Sequence, residues 1–229
     1  MYPLFKRKQD ARELKLINSI VKPGFHVLDI GANIGFYTKI LSNLVGNNGN
    51  VFAFEPEGIN FKYLQQNLRG NINVTLINKA VSDKTGPLKI YLSKMLNVDH
   101  RTYPVDNYES IMEIDATSID DYLTLNNSTR VDFIKMDIQG FEMAAFKGME
   151  KTLNNNPDVK IITELWPFGL KKAGSSVPEI IDFANLKKFN IYLVTPKRLE
   201  LLDKELVLKL KEDEKSYYNV VLSKEIFEF

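Results

Sequence analysis

The chain of 229 residues has no cysteine. That excludes disulfides, thiolate metal centres and thiol nucleophiles, and it fits a reducing compartment. It also lacks an excess of either charge: 30 Lys and Arg stand against 29 Asp and Glu, a formal +1. So even a balance offers no bulk attraction to nucleic acid or to an acidic membrane face, and partners have to be recognised by local sites. Long hydrophobic runs are missing too. No uninterrupted apolar stretch approaches the roughly 18 residues of a membrane helix, and charges break up the N-terminal MYPLFKRKQDAREL too early for a signal-peptide core. These features predict a cytoplasmic chain without a membrane span. Histidine is scarce, with His26 and His100 alone. With no thiols and the two imidazoles far apart in the pattern, no metal is expected.

What the chain does have is 44% hydrophobic residues, enough to core one large α/β domain. Its organising stretch is VLDIGANIGFYTKIL, Val27 to Leu41. A β-branched apolar run, two glycines and apolar residues at helical spacing predict strand, tight loop and helix. A dinucleotide-binding loop would need glycine at the first, third and sixth loop positions, which here are Gly31, Asn33 and Phe36. Asp29, just before the loop, would repel a pyrophosphate and favour a cationic ligand. A nicotinamide-dependent oxidoreductase is therefore the weaker alternative.

Before that stretch, Leu14, Ile17, Ile20 and Val21 share a helical face, so residues 1–22 are expected to form an N-terminal helical brace. After it, VFAFE predicts a strand ending on Glu55, where an acid can take both hydroxyls of a ribose, and EGINFKYLQQNLRG a helix. NVTLI reads as a strand and NKAVSDKTG as a polar loop suited to an adenine ring. Residues 86–116 read as an inserted β-hairpin with a long loop. A short helix capped by Ser118, the strand VDFIKMD ending on Asp137, a helix from Phe141 to about Asn154, and VKIITE ending on Glu164 follow. WPFG then reads as a loop, Pro178 to Lys188 as a helix, and NIYLV and YYNVVLS as closing strands. Strands alternating with helices imply a doubly wound, mainly parallel sheet that binds ligands beyond its carboxyl ends. Asp29, Glu55, Asp137 and Glu164 all fall there, and four carboxylates at one rim call for a cationic or hydroxyl-rich occupant.

In order and spacing, VLDIGANIGFYT, FAFEP, NKAVSD and DFIKMDIQGFEMAAFKGM resemble the successive motifs of the FkbM family of class I S-adenosylmethionine-dependent methyltransferases. DHR at Asp99 to Arg101, QG after the fourth strand and ELWPFGLKKAG mark a subgroup of that pattern. The resemblance covers about Lys22 to Leu222. It implies a Rossmann-like seven-stranded sheet whose last strand is antiparallel, S-adenosylmethionine as cofactor, and methylation of a hydroxyl on a sugar, glycan or small metabolite. Nucleic-acid or protein methylation is the runner-up, and a non-catalytic binding module the bland reading. Carried over by position, Asp29, Gly31, Ala32, Asn33, Gly35 and Phe36 would line the methionine end, with loop N–H groups on its carboxylate. Glu55 and Pro56 would hold the ribose, and Ala80, Val81 and Ser82 would flank the adenine. Asp137 and Gln139 would face the reacting centre. Duller roles stand beside these: Asn33 as a helix N-cap, Gln139 as a turn residue, Phe36 and Tyr37 as packing.

Trp166, the one tryptophan, and Glu164 are candidate substrate contacts, with burial the alternative for the indole. His26 reads as structural. His100 sits between Asp99 and Arg101, where a carboxylate can orient the imidazole and a guanidinium can clamp an oxygen. That makes His100 the candidate base, Arg101 an acceptor contact, and Asp137 the rival base.

Overall fold

The computed structural model describes residues 10–93 and 108–226. Its elements, in chain order, begin with α1 (Ala11–Ile20), β1 (His26–Ile30), α2 (Phe36–Val45), β2 (Asn50–Phe54), α3 (Gly58–Asn67) and β3 (Val74–Ile77). The chain continues through β4 (Ala80–Val81), β5 (Gly86–Ser93), β6 (Tyr108–Thr117), α4 (Ile119–Leu125), β7 (Phe133–Met136), α5 (Glu142–Lys147), α6 (Glu150–Asn155) and β8 (Lys160–Leu165). It closes with α7 (Pro167–Lys172), α8 (Val177–Leu186), β9 (Asn190–Val194), β10 (Leu199–Leu201), α9 (Lys204–Val207) and β11 (Tyr218–Ser223).

The main sheet runs β10-β9-β11-β8-β7-β1-β2-β3. From β8 to β3 every pairing is parallel, whereas β11 enters antiparallel between β8 and β9. The expected seven strands with the last one reversed are present. An eighth, the three-residue β10, folds back on β9 at the edge.

Both faces of the sheet are covered, which is why its central strands read as continuous apolar runs. One face buries Leu28, Ile30, Phe54, Ile134, Met136 and Phe146. The other buries Val27, Val51, Phe133, Ile162 and Val221 against Leu16 and Ile17 of α1 and Leu41 of α2. The apolar stripe of α1 thus lies on the sheet, while its first turn reaches the carboxyl ends of the strands.

Of the expected insertion at 86–116, β5 and β6 pair antiparallel, and the long loop between them lies outside the described residues. NKAVSDKTG is not wholly a loop, because β4 inside it adds in parallel to β6. Two residues are too few to show an alternation. The single helix expected from Phe141 to Asn154 is broken into α5 and α6. A Cβ on Gly148 would lie 1.9 Å from the Ser82 carbonyl oxygen, so the chain at the break presses directly on the exit of β4. The segment after Trp166 is likewise helix rather than loop, with Pro167 in its first turn, where the missing N–H costs nothing. Ser118 caps α4 as its position predicts, its hydroxyl accepting from the Asp121 N–H.

Candidate active site

Asp29, Glu55, Asp137 and Glu164 lie within one residue of the ends of β1, β2, β7 and β8, four adjacent strands. They do not form one cluster. Each half of the row neutralises its acids by a different means.

In the first half, Glu55 is 6% exposed and is held by the glycine loop itself. Its Oε2 accepts from the Asn33 N–H at 2.8 Å and its Oε1 from the Glu57 N–H at 3.0 Å. Burial pushes its pKa up to about 7 against the pull of those bonds. Asn33 takes φ of 51°, a left-handed conformation that asparagine tolerates. Its side-chain oxygen accepts from the Ile34 N–H, and Gly35, not Asn33, is the N-cap of α2. Gly31 and Ala32 both donate to the Phe54 carbonyl, and Gly35 donates to that of Ala32. All five N–H groups from Gly31 to Gly35 therefore have protein acceptors. These groups would share any ligand carboxylate with those acceptors, and the first turn of α2, from Phe36 onward, adds the donors of a helix N-terminus.

The loop glycines answer to chain packing. A Cβ on Gly31 would stand 2.0 Å from the Asp137 carbonyl oxygen, and one on Gly35 would stand 2.4 Å from Leu68 of α3. Ala32 packs with Ala53, Leu64 and Leu68. Phe36 is half-buried, edge-on to Tyr37 at 5.2 Å.

In the second half the organiser is Lys135, which the sequence reading passed over. It lies in β7, level with Asp29 of β1, and is 4% exposed. Its Nζ is 3.3 Å from Asp137 Oδ2 and 4.7 Å from the centre of the Tyr37 ring. Burial alone would lower its pKa, but Asp137, Glu13, Asp29 and Glu164 raise it above the usual lysine range. The ammonium thus stays charged. A lysine in the middle of the apolar run VDFIKMD was the available signal, since a fully buried lysine needs partners.

Around Lys135, Asp29 is fully buried. Its Oδ2 accepts from the Thr38 hydroxyl at 2.6 Å, whereas its Oδ1 has no hydrogen-bond partner among the described residues. Burial raises its pKa. Burial and then Asp137 push Glu164 well above the usual carboxylate range. From α1, Glu13 and Asp10 both meet the Tyr37 hydroxyl, at 3.0 and 2.7 Å. A phenol has one proton to give between two acceptors, and burial raises the pKa of Glu13.

Gln139 donates to Asp137 Oδ1 at 2.9 Å and takes φ of 55°, so it is turn residue and Asp137 partner at once. Glu142 underpins that turn, its Oε1 accepting from the Ile138 and Gly140 N–H groups at 3.3 and 3.2 Å. Burial pushes it up to about 7. Ala80, Val81 and Ser82 are buried along and just after β4, and Pro56 is half-buried beside Glu55. Trp166 is only 1% exposed, so burial rather than substrate contact is its place here. His26 opens β1 on the far side of the sheet, its Nδ1 buried. His100 and Arg101 lie outside the described residues. Among the described residues no three acids or histidines could hold a metal ion together, and no helix is long and apolar enough to cross a membrane.

The architecture matches solved methyltransferases. The chain is similar to a putative rRNA methylase from Clostridium thermocellum at a TM-score of 0.57 and 15% identity, covering 94% of this chain and 96% of that one. A putative methyltransferase from Streptococcus mutans in complex with S-adenosylhomocysteine gives 0.52 and 12% over 93% and 96%. Likeness at that identity concerns the fold, which is the class I S-adenosylmethionine-dependent one. The residues present fit that cofactor. Glu55 keeps acceptor capacity beside its bonds from the Asn33 and Glu57 N–H groups and from Asn60, which suits a ribose hydroxyl, and the unpartnered Asp29 Oδ1 suits a cationic donor.

By sequence, the chain is 29% identical over 129 residues to the hexuronic acid methyltransferase AglP of Haloferax volcanii, covering 56% of this chain and 51% of that protein. It is 27% identical over 127 residues to a protein-L-isoaspartate O-methyltransferase of Methanothermobacter thermautotrophicus, covering 46% and 58%. The chain therefore spans little more than half the length of these curated relatives. Residues 29–191 match the methyltransferase FkbM domain, and with its motifs carried on this sheet the chain belongs to the FkbM family of S-adenosylmethionine-dependent methyltransferases.

Proposed function

We propose that this methyltransferase methylates a hydroxyl oxygen on a sugar, either within a glycan or on a sugar-like metabolite. The observation that carries the reading is the Asp137 carboxylate. Lys135 at 3.3 Å and Gln139 at 2.9 Å hold it at the exit of β7, beside the glycine loop. A doubly tethered carboxylate is suited to accept a hydrogen bond from a hydroxyl and to fix the direction of its lone pairs. The name of the Haloferax relative, a hexuronic acid methyltransferase, agrees with a sugar acceptor. A nucleic-acid acceptor finds no support in a net charge of +1.

S-adenosylmethionine, when bound, supplies a methyl group already activated by its sulfonium. Glu55 would hold the ribose hydroxyls and Pro56 flank them, while Ala80, Val81 and Ser82 would border the adenine. Asp29 and the first turn of α2, beginning at Phe36, would receive the amino-acid end. Asp137 orients the acceptor oxygen, and Glu164 closes the pocket on the far side of Asp137. An acceptor hydroxyl that took the methyl group would have to give up its proton to a base of the protein. We assign that role to His100, with Arg101 holding the acceptor, because a carboxylate paired with a buried ammonium is weakly basic.

The test is transfer of labelled methyl from S-adenosylmethionine to a panel of neutral and acidic glycosides. His100→Ala is expected to lose about 10²–10⁴-fold in turnover, the range for a general base, with cofactor affinity unchanged. Intact S-adenosylhomocysteine binding without transfer to any glycoside overturns the sugar reading. Wild-type turnover in His100→Ala passes the base role to Asp137.

A further inference from the structure

Beside the Asp137 loop stands a group of three aromatic rings. Trp166 and Tyr217 are stacked, their centroids 5.1 Å apart and their planes 23° from parallel. Phe168 lies 5.6 Å from Trp166. Trp166 is 1% exposed and Tyr217 44%, so the inner ring is sealed while the outer one meets solvent. Buried aromatic rings commonly stabilise a core, but a half-exposed ring backed by a second one gives up little entropy when a ligand lies on it.

The group is fixed to the transfer site through backbone. A Cβ on Gly140, the residue after Gln139, would lie 2.4 Å from the Gly169 carbonyl carbon, and one on Gly169 would lie 2.1 Å from the Trp166 ring. The turn that carries Asp137, helix α7 and the indole are therefore in direct contact, with no side chain between the two backbones. Tyr217 immediately precedes β11, which pairs Tyr218 with Leu165 and Asn219 with Glu164. A ring resting on Tyr217 is thus beside the strand end where Glu164 stands.

Charge adds a direction. The inner end of the site holds Asp137, Glu164 and the buried Glu142. The outer end holds Lys172, exposed, with its Nζ 5.5 Å from the Phe168 ring centre. Inside, the Lys135 cation is already taken up by Asp137, whereas an anionic substituent would be attracted outside to the exposed Lys172.

We infer that Tyr217 and Phe168, backed by Trp166, form the acceptor subsite, and that it takes an acidic sugar with the pyranose ring stacked on the aromatics and the carboxylate turned toward Lys172. The inference rests on the sugar reading above and adds the class of sugar and the residues that select it. The C–H bonds of a pyranose face meet the aromatic face, and its hydroxyls on the opposite edge point to Asp137.

Because Trp166 is the one tryptophan, its fluorescence reports on this stack independently of turnover. Methyl β-glucuronide and methyl β-glucoside are titrated into the protein saturated with S-adenosylhomocysteine. The glucuronide is expected to shift the emission at lower concentration than the glucoside, and Lys172→Gln to remove that difference. Tyr217→Leu, which keeps apolar bulk without the ring, is expected to weaken glucuronide binding about tenfold, as loss of one stacking contact worth about 1.4 kcal/mol implies. Its affinity for S-adenosylhomocysteine should stay unchanged. No emission response to either sugar, or equal affinity in Tyr217→Leu, overturns the platform. Equal affinity for the two sugars overturns the acidic preference. A response without methyl transfer leaves the platform standing and defeats the hydroxyl-methylation reading instead.

Discussion

Glu55 and Asp137 are both carboxylates just past the ends of parallel strands, β2 and β7, that flank β1, yet the protein treats them oppositely. Glu55 is bound by backbone N–H groups, with no cation among these partners, and burial raises its pKa to about 7. Asp137 is bound by a buried ammonium, a full opposite charge. Dipoles let a carboxylate change its protonation when a ligand arrives, whereas an ion pair fixes it. Glu55 is thus arranged to respond to its occupant, while Asp137 is held to Lys135.

The two halves touch at Gly31, and the largest effect is expected there. Gly31→Val puts a branched side chain where even a Cβ would lie 2.0 Å from the Asp137 carbonyl, at φ of 82°. It should abolish S-adenosylhomocysteine binding in calorimetry. Measurable affinity would mean that the halves can part without loss.

Next comes the ion pair. Lys135→Met leaves buried carboxylates without their cation and should cost about 3–5 kcal/mol in chemical denaturation. The added change Glu13→Gln, which removes one of those charges, should recover part of the loss. A loss near zero would show that the acids around Lys135 are already neutral.

The dipole-held half predicts a smaller, pH-dependent effect. Glu55→Ala should weaken S-adenosylhomocysteine binding by about 1.5–3 kcal/mol, the range for hydrogen bonds to charged groups. In the wild type, Glu55 and Glu142 have folded pKa values raised from 4.5 to about 7. The folded state therefore keeps those protons to higher pH than the unfolded one. Their stabilising share is present below about 4.5 and is lost as pH rises through 7, about 3 kcal/mol for each group. Cofactor affinity should run the other way, falling as pH drops through 7 and Glu55 gains a proton. Thermal shifts between pH 5.5 and 8.5, with and without S-adenosylhomocysteine, check both slopes, and Glu55→Gln should flatten the binding slope and reduce the stability slope to the share of Glu142.

The smallest effect belongs to an exposed counterpart of the buried pair. Lys147 and Glu179 meet at 2.9 Å with side chains 49% and 39% exposed. Lys147→Ala should cost about 0.5 kcal/mol or less, since water screens such pairs. A cost matching that of Lys135→Met would dissolve the distinction.

The strand, glycine loop and helix of the first unit could be read from the sequence because periodicity and glycine placement are local. So could the four acids at strand ends and the Ser118 cap. What escaped depends on contacts between distant segments. The break at Gly148 follows from the Ser82 carbonyl pressed on it, which no local pattern announces. The helix after Trp166 hid behind a proline that its first turn accommodates. Lys135 looked like an interruption in an apolar run until its partners arrived from α1, β1, β7 and β8. Tyr217 gains its meaning from Trp166, fifty-one residues earlier in the chain.

The matched family domain, residues 29–191, is a unit of ancestry more than of folding. Cutting the chain at those bounds would discard α1, and with it the Glu13 and Asp10 carboxylates that meet Tyr37 and the Leu16 and Ile17 side chains that cover the sheet. It would also remove β11, which lies inside the sheet between β8 and β9, and so open a gap where two strands lose their shared neighbour. Exchanging specificity between relatives by swapping the recognised segment would therefore transplant a site without its walls. An exchange that keeps the walls would carry α1 and β11 along with the matched segment.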